Sequence, residues 1–399
     1  MEPAADLLSP AGRELLELLG GEEISPDRAL RLAEQLRGRY PADLVAAALT
    51  QQSLRIAGRA KFSRADAMFF TRTGLEQASS ELTADHSARR FAGRGLVADL
   101  CCGIGGNLAA LASVTEHVLA VDADLPTLKF AMLNVAILGS SGLVTAVCAD
   151  VRDLALPGGG LISAVSGRPT EVEAIFIDPA RRAGGRRLRA GDSQPPLDWC
   201  FGLADRVGAV CIKAAPGLPH ELVPAGWEIE FVATGRSLKE ALLWSPALAT
   251  SARRATILPA GQTITAEPGE AVRVAAPGSY LLDPNPAVTR AGLVEELARS
   301  VDAWKIDPMI AFLAADVAIS TPFARTLRVL ESMPWNERQV ARRLRELGIG
   351  TADIRRRGLA GDVEQIHRRL GLQGDGSATI VMTRRSGKPW SLICTPADS

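Results

Sequence analysis

The fold of this chain is decided by a single stretch, Val97-Ala98-Asp99-Leu100-Cys101-Cys102-Gly103-Ile104-Gly105-Gly106-Asn107. It predicts a buried strand that runs into a glycine-rich turn and then into a helix. Gly103 and Gly105 allow the backbone to bend sharply and to approach a ligand closely, which a Cβ atom would block. The helix that follows presents unpaired N–H groups to that ligand.

Two features separate this turn from a dinucleotide-binding pattern, although a Gly-x-Gly turn alone also occurs in NAD-dependent enzymes. Leu108 stands where that pattern has its third glycine, and Asp99 ends the first predicted strand. A carboxylate beside the turn would repel a pyrophosphate but suits the ammonium group of a methionyl moiety. An NAD-dependent oxidoreductase is therefore the weaker interpretation.

Acidic residues also follow the next predicted strands. Asp122 ends the second strand, where a carboxylate can accept both ribose hydroxyls, and Asp150 follows the third, where an adenine amino group would bind. Asp124 could simply cap the next helix. Each acid alone could be a solvated strand end, but all of them on one edge of one sheet indicate a nucleoside cofactor.

Short apolar runs alternate with helical segments from residue 95 onward, which is typical of a doubly wound parallel α/β sheet. Two later runs, Glu228–Ala233 and Ala241–Ser245, would complete this sheet with an antiparallel edge. The first five predicted strands are Leu96–Leu100, Val118–Asp122, Val144–Cys148, Ala174–Asp178 and Ala209–Lys213.

Residues at the ends of the fourth and fifth predicted strands are the candidates for catalysis. Asp178 lies at the edge of the sheet where the ligand crevice opens, so we expect it to border the transferred methyl group and its acceptor. Lys213 either binds the acceptor or forms a structural ion pair. Behind Asp178 comes an arginine-rich run, which predicts a grip on a phosphate backbone, although such runs are often only solvated. The predicted substrate contacts in that run are Arg181, Arg182, Arg186 and Arg187.

The chain resembles class I S-adenosylmethionine-dependent methyltransferases. Asp99–Asn107, Val121–Asp122, Asp150 and Asp178–Arg181 are similar to motifs I to IV of that class. The resemblance implies a Rossmann-like catalytic domain that binds S-adenosylmethionine. The residues it assigns to the cofactor are Asp99, Cys101, Gly103, Gly105, Asn107, Asp122, Asp150 and Asp178. Asn107 is a departure, because this position is expected to hold Asp.

The whole chain is similar to bacterial methyltransferases that carry a C-terminal THUMP-like domain. The segments that carry this resemblance are Leu75–Ala78, Asp178–Arg182, Lys213–Gly217, Tyr280–Leu293 and Arg356–Gly358. It implies a helical N-terminal domain (residues 1–90), a methyltransferase domain (91–258), a linker or β-hairpin (259–279) and a small α+β THUMP-like domain of RNA-binding type (280–399).

The C-terminal domain is locally basic, although Lys plus Arg (45) equals Asp plus Glu (45) in the whole chain of 399 residues. Residues 321–388 hold 14 Lys or Arg against 7 Asp or Glu. Arg356 is a predicted substrate contact within this region. The predicted helices of the domain are Arg290–Ala303 and Asn336–Leu347, and its predicted strands are Thr351–Arg357 and Ala378–Thr383.

The composition of the chain argues against several kinds of site and several classes of protein. The six cysteines lack Cys-x-x-Cys spacing, which argues against a zinc site or a disulfide framework and for a reducing compartment, the cytoplasm. We expect no metal, no signal peptide and no membrane span.

The acceptor is expected to be a nitrogen or oxygen atom. Methylation of a ring carbon requires a cysteine nucleophile, and none stands near Ala214–Pro216, where the C5-uracil enzymes carry it. We expect an RNA substrate, tRNA or rRNA. The alternatives are a protein or small-molecule methyltransferase, and a non-catalytic nucleic-acid-binding protein with this fold.

Overall fold

The computed structural model describes residues 6–20, 25–140, 144–154, 171–180, 182–183, 186–187 and 192–397. The chain divides into two compact units. The first unit comprises Met1–Glu228 and Glu240–Thr250, and the second comprises Ile229–Lys239 and Ser251–Ser399.

The N-terminal part of the first unit is helical, as the sequence predicts. Side-chain caps start its helices: Ser9 and Ser25 each accept a hydrogen bond from the backbone N–H three residues on, with proline next in the chain. Leu15, Leu44 and Phe69 contribute to one buried cluster. The helices before the first strand are α1 (Pro10–Leu18), α2 (Pro26–Leu36), α3 (Ala42–Gly58), α4 (Arg72–Gln77) and α5 (Glu81–Ala88).

A sheet with helices between its strands follows. The helices are α6 (Leu108–Val114), α7 (Leu125–Leu138), α8 (Leu197–Phe201) and α9 (Ala204–Val207). The strands in this part of the chain are β1 (Leu96–Leu100), β2 (His117–Asp122), β3 (Val144–Cys148), β4 (Ala174–Ile177), β5 (Arg182–Ala183), β6 (Arg186–Arg187), β7 (Val210–Ala214), β8 (Glu228–Thr234) and β9 (Ser237–Trp244). Of these, β5 and β6 form a separate two-stranded sheet.

The strand order β9-β7-β4-β1-β2-β3 confirms a doubly wound α/β sheet. Neighbours among β1, β2, β3, β4 and β7 pair in parallel, whereas β9 pairs antiparallel to β7. β9 is not at the edge, because further strands follow it in the sheet order. Every residue of β1 and β7 is buried, which explains why these strands are apolar apart from Asp99 and Lys213. The carboxyl ends of the parallel strands therefore meet at one edge, where the predicted site residues stand.

The second unit contains a separate antiparallel-rich sheet. The strands that follow β9 along the chain, all in the second unit, are β10 (Arg253–Leu258), β11 (Gln262–Thr265), β12 (Tyr280–Pro284), β13 (Trp304–Lys305), β14 (Leu313–Ala315), β15 (Ala324–Pro334), β16 (Ile349–Arg356), β17 (Gly376–Arg385) and β18 (Lys388–Pro396). Its helices are α10 (Pro286–Ala291), α11 (Val294–Ser300), α12 (Glu337–Glu346) and α13 (Val363–Leu370). Strands β12 to β18 form the separate sheet of this unit, in the order β13-β14-β12-β15-β18-β17-β16.

Most predicted elements of the second unit agree with the structure, with one correction. The helix expected over Arg290–Ala303 is wrong as a single element, because the chain ends α10 at Gly292 in the left-handed region, with φ +68°, before α11 begins. The predicted helix at 336–347 and the predicted strands at 351–357 and 378–383 are confirmed as α12, β16 and β17. In the described parts of both units, every helix is too short or too polar to cross a bilayer.

Candidate active site

The glycine-rich turn between β1 and α6 has the predicted conformation. Gly103 and Gly105 have φ values of +57° and +87°, and Cys101 is also left-handed, with φ +59°. A Cβ atom on Gly105 would lie 3.2 Å from both the Cα and the carbonyl oxygen of Ala131 in α7, whereas one on Gly103 would meet nothing within 4 Å. Gly105 therefore permits helix packing, and Gly103 leaves space open at the turn.

A cavity of about 240 Å³ opens at this turn within the first unit. Four parts of the chain line it: the segment around α4, β1 with the turn that follows it, the segment from the end of β2 to the start of α7, and the end of β4. The lining residues are Thr71, Thr73, Gly74, Gln77, Ala78, Asp99, Cys101, Cys102, Gly103, Ile104, Gly106, Asn107, Asp122, Thr127, Phe176, Asp178, Pro179 and Ala180.

Asp99 is a buried carboxylate in the wall of this cavity. Neither of its oxygen atoms has a hydrogen-bond partner among the described residues. Burial raises its pKa well above the usual value, and the charges of Asp178 and Asp122 raise that pKa further. A buried carboxylate without a partner is costly. A cationic ligand such as an ammonium group would restore its missing interactions.

Asp122 fixes the turn and faces the cavity. Its Oδ2 accepts a hydrogen bond of 2.9 Å from the backbone N–H of Gly103, and its Oδ1 accepts one of 2.9 Å from that of Asp124. Each oxygen retains acceptor capacity for a ligand hydroxyl. Asp124 itself caps α7, since its side chain accepts from the backbone N–H of Thr127 at 3.0 Å.

Asp178 and Lys213 form a buried ion pair at the ends of β4 and β7. Lys213 Nζ donates to Asp178 Oδ2 at 2.5 Å and to the carbonyl oxygen of Gln77 at 3.3 Å. The Lys213 side chain is 3% exposed, against 24% for Asp178. The aspartate thus remains reachable from the cavity, whereas the lysine is enclosed behind it. The sequence left open whether Lys213 binds the acceptor or forms an ion pair. In the structure it forms an ion pair, and its partner, Asp178, is the other predicted catalytic residue.

Cys101 and Asn107 also line the cavity. Burial raises the pKa of the Cys101 thiol, and the nearby carboxylate of Asp122 raises it further, so the thiol stays protonated at neutral pH. Asn107 is buried, and its Nδ2 donates to Ser87 Oγ at 3.2 Å. Its amide therefore has a partner in the N-terminal helices.

Asp150 stands apart from the cavity lining. Its carboxylate pairs with Arg152, at 3.0 Å from Oδ1 to Nε and 2.5 Å from Oδ2 to Nη2. These hydrogen bonds lower the pKa of Asp150 to about 2. It also caps the short 3₁₀ helix Val151–Asp153. Its predicted contact with adenine stays a prediction.

The predicted substrate-binding arginines lie in different parts of the chain. Arg181 is outside the described residues. The backbone of Arg182 pairs with that of Arg187, and Ala183 with Arg186, in the β5–β6 hairpin, while the side chains of these residues are outside the description. Arg356 belongs to the second unit, where it is exposed and donates to the carbonyl oxygen of Leu359 at 3.3 Å.

Sequence reasoning did not select several residues at or beside the site. Thr71, Thr73 and Gln77 line the cavity. Glu240 is buried, accepts a hydrogen bond of 3.0 Å from Ser79 through Oε2, and leaves Oε1 without a partner among the described residues. An acid within the apolar run of β9 is a visible signal for Glu240. The threonines carry no such signal, because only the packing of α4 brings them to the cavity.

Known protein families match three parts of the chain. The family model described as RNA cap guanine-N2 methyltransferase matches residues 94–186, that described as THUMP domain-like matches 324–396, and a domain of unknown function matches 1–58. An uncharacterized S-adenosylmethionine-dependent methyltransferase of Mycobacterium tuberculosis is 37% identical over 325 residues, covering 79% of this chain and 84% of that protein. A crystal structure from Porphyromonas gingivalis W83, provisionally named a methyltransferase, shares the fold with a TM-score of 0.73 at 20% identity, covering 94% of this chain and all of that one.

Proposed function

We propose that this chain, which belongs to the family of S-adenosylmethionine-dependent methyltransferases, methylates RNA. The proposed acceptor is a nitrogen or oxygen atom of a tRNA or an rRNA. S-adenosylmethionine, when bound, supplies an electrophilic methyl group on a positively charged sulfur. The observation that carries the proposal is the cavity at the glycine-rich turn, whose wall holds the unpartnered carboxylate of Asp99 beside Asp178.

The residues around the turn fit this cofactor. Asp99 would accept hydrogen bonds from the ammonium group of the methionyl moiety, because no residue that the structure describes bonds to either of its oxygens. Asp122 would accept the ribose hydroxyls with its remaining lone pairs. Gly103 and Gly105 would let the backbone approach the ligand. Cys101 and Asn107 would line the same end of the pocket, and Asp150 would bind adenine after its pair with Arg152 opens.

Direct transfer without a covalent enzyme intermediate suits the cysteines of the site. Burial raises the pKa of both Cys101 and Cys102, and a protonated thiol is a poor nucleophile. Cys211 is fully buried inside β7. None of these three thiols is suited to attack a base.

Asp178 would accept a hydrogen bond from the acceptor N–H or O–H group and orient its lone pair toward the methyl group. Lys213 would hold this carboxylate in position, since its Nζ lies 2.5 Å from Oδ2. With one oxygen held by Lys213, the other is left for the substrate. In these roles Asp178 touches the acceptor, and Lys213 positions Asp178.

Two matches support RNA as the substrate. The catalytic region resembles the RNA cap guanine-N2 methyltransferase model, and the C-terminal region resembles the THUMP domain-like model. Arg356, together with Arg181, Arg182, Arg186 and Arg187, would contact phosphates. The free cysteines support the cytoplasm as the compartment.

The test is incubation of the full chain with S-adenosylmethionine labelled in its methyl group and with separated RNA, protein and small-molecule fractions of a cell extract. We expect label in RNA, and none with the Asp99→Asn variant because it loses the counter-charge of the cofactor. Label in protein or small molecules alone would replace RNA as the substrate. No label in any fraction, with S-adenosylmethionine still bound, would favour a non-catalytic role.

A further inference from the structure

Three arginines of the second unit, Arg236, Arg325 and Arg357, lie within 4.0 Å of the buried carboxylate of Asp283. Arg355 and Arg325 both lie near the carboxylate of Asp353, and we call these four arginines the arginine cluster. Arg236 Nη2 lies 2.8 Å from Asp283 Oδ2, and Arg357 Nη2 lies 3.0 Å from Asp283 Oδ1. Arg355 Nε lies 2.8 Å from Asp353 Oδ2. The cluster brings together side chains that are far apart in sequence.

The segment Asp283-Pro284-Asn285 holds the cluster in place. Asp283 on β12 stands directly opposite Arg325 on β15 in the sheet register. Asn285 Nδ2 donates a 2.8 Å hydrogen bond to the carbonyl oxygen of Gly235, in the turn between β8 and β9 that carries Arg236. None of the three residues of this segment lines the cavity at the glycine-rich turn.

Positive charge in the cluster is incompletely neutralised. Four guanidinium groups face two carboxylates, Asp283 and Asp353. Burial lowers the pKa of Arg236, and the neighbouring charges of Arg325, Arg355 and Arg357 lower it further. The charge that remains favours an anion.

Arg325 has hydrogen-bond donors that no described residue satisfies. Its Nε and Nη2 atoms are buried without an acceptor. The closest carboxylate oxygens are 4.0 Å from Nη2, on Asp283, and 3.7 Å from Nη1, on Asp353, too long for hydrogen bonds. Adjacent Nε and Nη donors form the planar fork that binds phosphate through two hydrogen bonds.

We propose that the arginine cluster binds a phosphate group of an RNA strand, with Arg325 as the residue that contacts it. This inference rests on the proposed RNA substrate. The cluster reaches the solvent, because the side chains of Arg236, Arg325 and Arg355 are 36%, 31% and 45% exposed. The buried Nε and Nη2 atoms of Arg325 would meet the phosphate after this side chain turns toward it. An RNA phosphate supplies the missing negative charge and the acceptor oxygens for Nε and Nη2 of Arg325.

The test compares Arg325→Gln with Arg369→Gln in the full chain. Each variant loses one positive charge in the same unit, but Arg369 is already paired with Glu337, at 2.8 Å, on the surface of α12 and α13. The probe is a fluorescently labelled single-stranded RNA oligonucleotide, with and without a 5′-phosphate, titrated at several NaCl concentrations. The Arg325→Gln variant is expected to fold, because Nε and Nη2 make no hydrogen bond that it would remove.

For Arg325→Gln we expect about a tenfold loss of RNA affinity, the factor that one charge-assisted hydrogen bond supplies. The slope of log affinity against log salt should become shallower by about 0.7, the value for one phosphate contact. A loss limited to the 5′-phosphorylated probe would identify a terminal phosphate, and a loss with both probes a backbone phosphate. Equal affinities and slopes for the two variants would overturn the proposal.

A second measurement keeps this proposal separate from the proposed function. Inorganic phosphate, compared with NaCl of equal ionic strength, should raise the Tm of the wild type and of Arg369→Gln but not that of Arg325→Gln. If RNA is methylated while Arg325→Gln leaves its KM and the phosphate effect unchanged, the cluster fails and the RNA substrate stands. If RNA binds through Arg325 but receives no label, the RNA substrate fails and the cluster stands.

Discussion

At Asp99 a buried carboxylate faces a cavity with both oxygens unpartnered among the described residues, and its proposed role in cofactor binding opposes the stability of the chain. Folding alone would favour a neutral side chain here, because an ionised carboxylate loses its hydration on burial. Binding of a cation favours the charge. The conflict between stability and binding is typical of functional sites.

The Asp99→Asn variant should therefore be more stable than the wild type at neutral pH. Burial raises the folded-state pKa of Asp99 well above the usual value of 3.8. Its contribution to stability is thus fully present below pH 3.8 and is lost as the pH rises toward the folded-state value. Urea unfolding of both proteins from pH 3.5 upward should show a difference that grows with pH. A difference independent of pH would contradict the burial of an unpaired charge.

Removal of Asp178 tests the ion pair and the catalytic role together. The Asp178→Asn variant should keep most of its S-adenosylmethionine affinity by calorimetry and lose turnover by about 100-fold or more, the contribution of a positioned acid–base group. It should also lose about 3–5 kcal/mol of stability, because Lys213 stays buried without its carboxylate.

The double variant Asp178→Asn/Lys213→Met is the control. It removes the orphaned ammonium, so we expect most of the stability to return while turnover stays low. Recovery of turnover in the double variant would mean that Asp178 only neutralises Lys213.

At the scale of elements, the turn between β1 and α6 combines two different demands on glycine. Gly105 lies against the backbone of Ala131, so its replacement disturbs the packing of α7. Gly103 has a left-handed φ but open space around its missing Cβ. The packing of α7 depends on Gly105, and access to the cavity depends on Gly103.

Substitution of these two glycines should separate folding from binding. Gly103→Ala should cost about 1–2 kcal/mol, the penalty for a left-handed non-glycine residue, and Gly105→Ala more, because contact with Ala131 adds to that penalty. Gly103→Val should fold yet bind S-adenosylmethionine weakly, since its side chain would occupy the cavity. Thermal unfolding and calorimetry measure the two effects, and a folded Gly103→Val variant with full affinity would argue against the assigned pocket.

The three arginines at the end of β16 have different surroundings. Arg356 is exposed, whereas Arg357 pairs with Asp283 and lies over the ring of Phe312, 4.8 Å from its centroid. Arg357→Gln should therefore cost about 1.5–3 kcal/mol, the value of a hydrogen bond to a charged group, because Arg236 stays paired with Asp283. Arg356→Gln should change stability by less than about 0.5 kcal/mol. Equal unfolding midpoints in urea for the two variants would contradict this difference.

At the scale of the whole molecule, a net charge of zero conceals an uneven distribution. The cofactor pocket in the first unit has acidic side chains in its wall, whereas the arginine cluster lies in the second unit. The two proposed ligands therefore depend on opposite charges of the protein.

Salt should affect the two ligands to different extents. The KM for RNA should rise steeply between about 50 and 200 mM NaCl, because phosphate contacts release counterions. The Kd for S-adenosylmethionine should change little, since the carboxylate of Asp99 is buried and poorly screened. Steady-state kinetics and calorimetry over the same salt series measure both constants. A KM for RNA that stays constant would indicate that RNA binding does not depend on phosphate contacts.

The sequence by itself determined the elements whose signals are local. The strand, turn and helix over Val97–Asn107, the caps at Ser9, Ser25 and Asp124, and the apolar strands of the sheet follow from short-range periodicity and from backbone needs. A cluster of acids at one sheet edge was also predictable, because parallel strands end together. Asp150 belongs to that edge, but its pairing with Arg152 depends on a side-chain conformation that spacing does not reveal.

Only the tertiary structure decided which charges meet. Lys213 and Asp178 pair because β7 and β4 are neighbours in the sheet, and Glu240 contacts Ser79 although 161 positions separate them. Asp283 likewise receives Arg236 and Arg357 from segments 47 and 74 positions away. The physical reason is that the strength of an ion pair depends on distance and burial, and the order of strands in the sheet sets both for these residues.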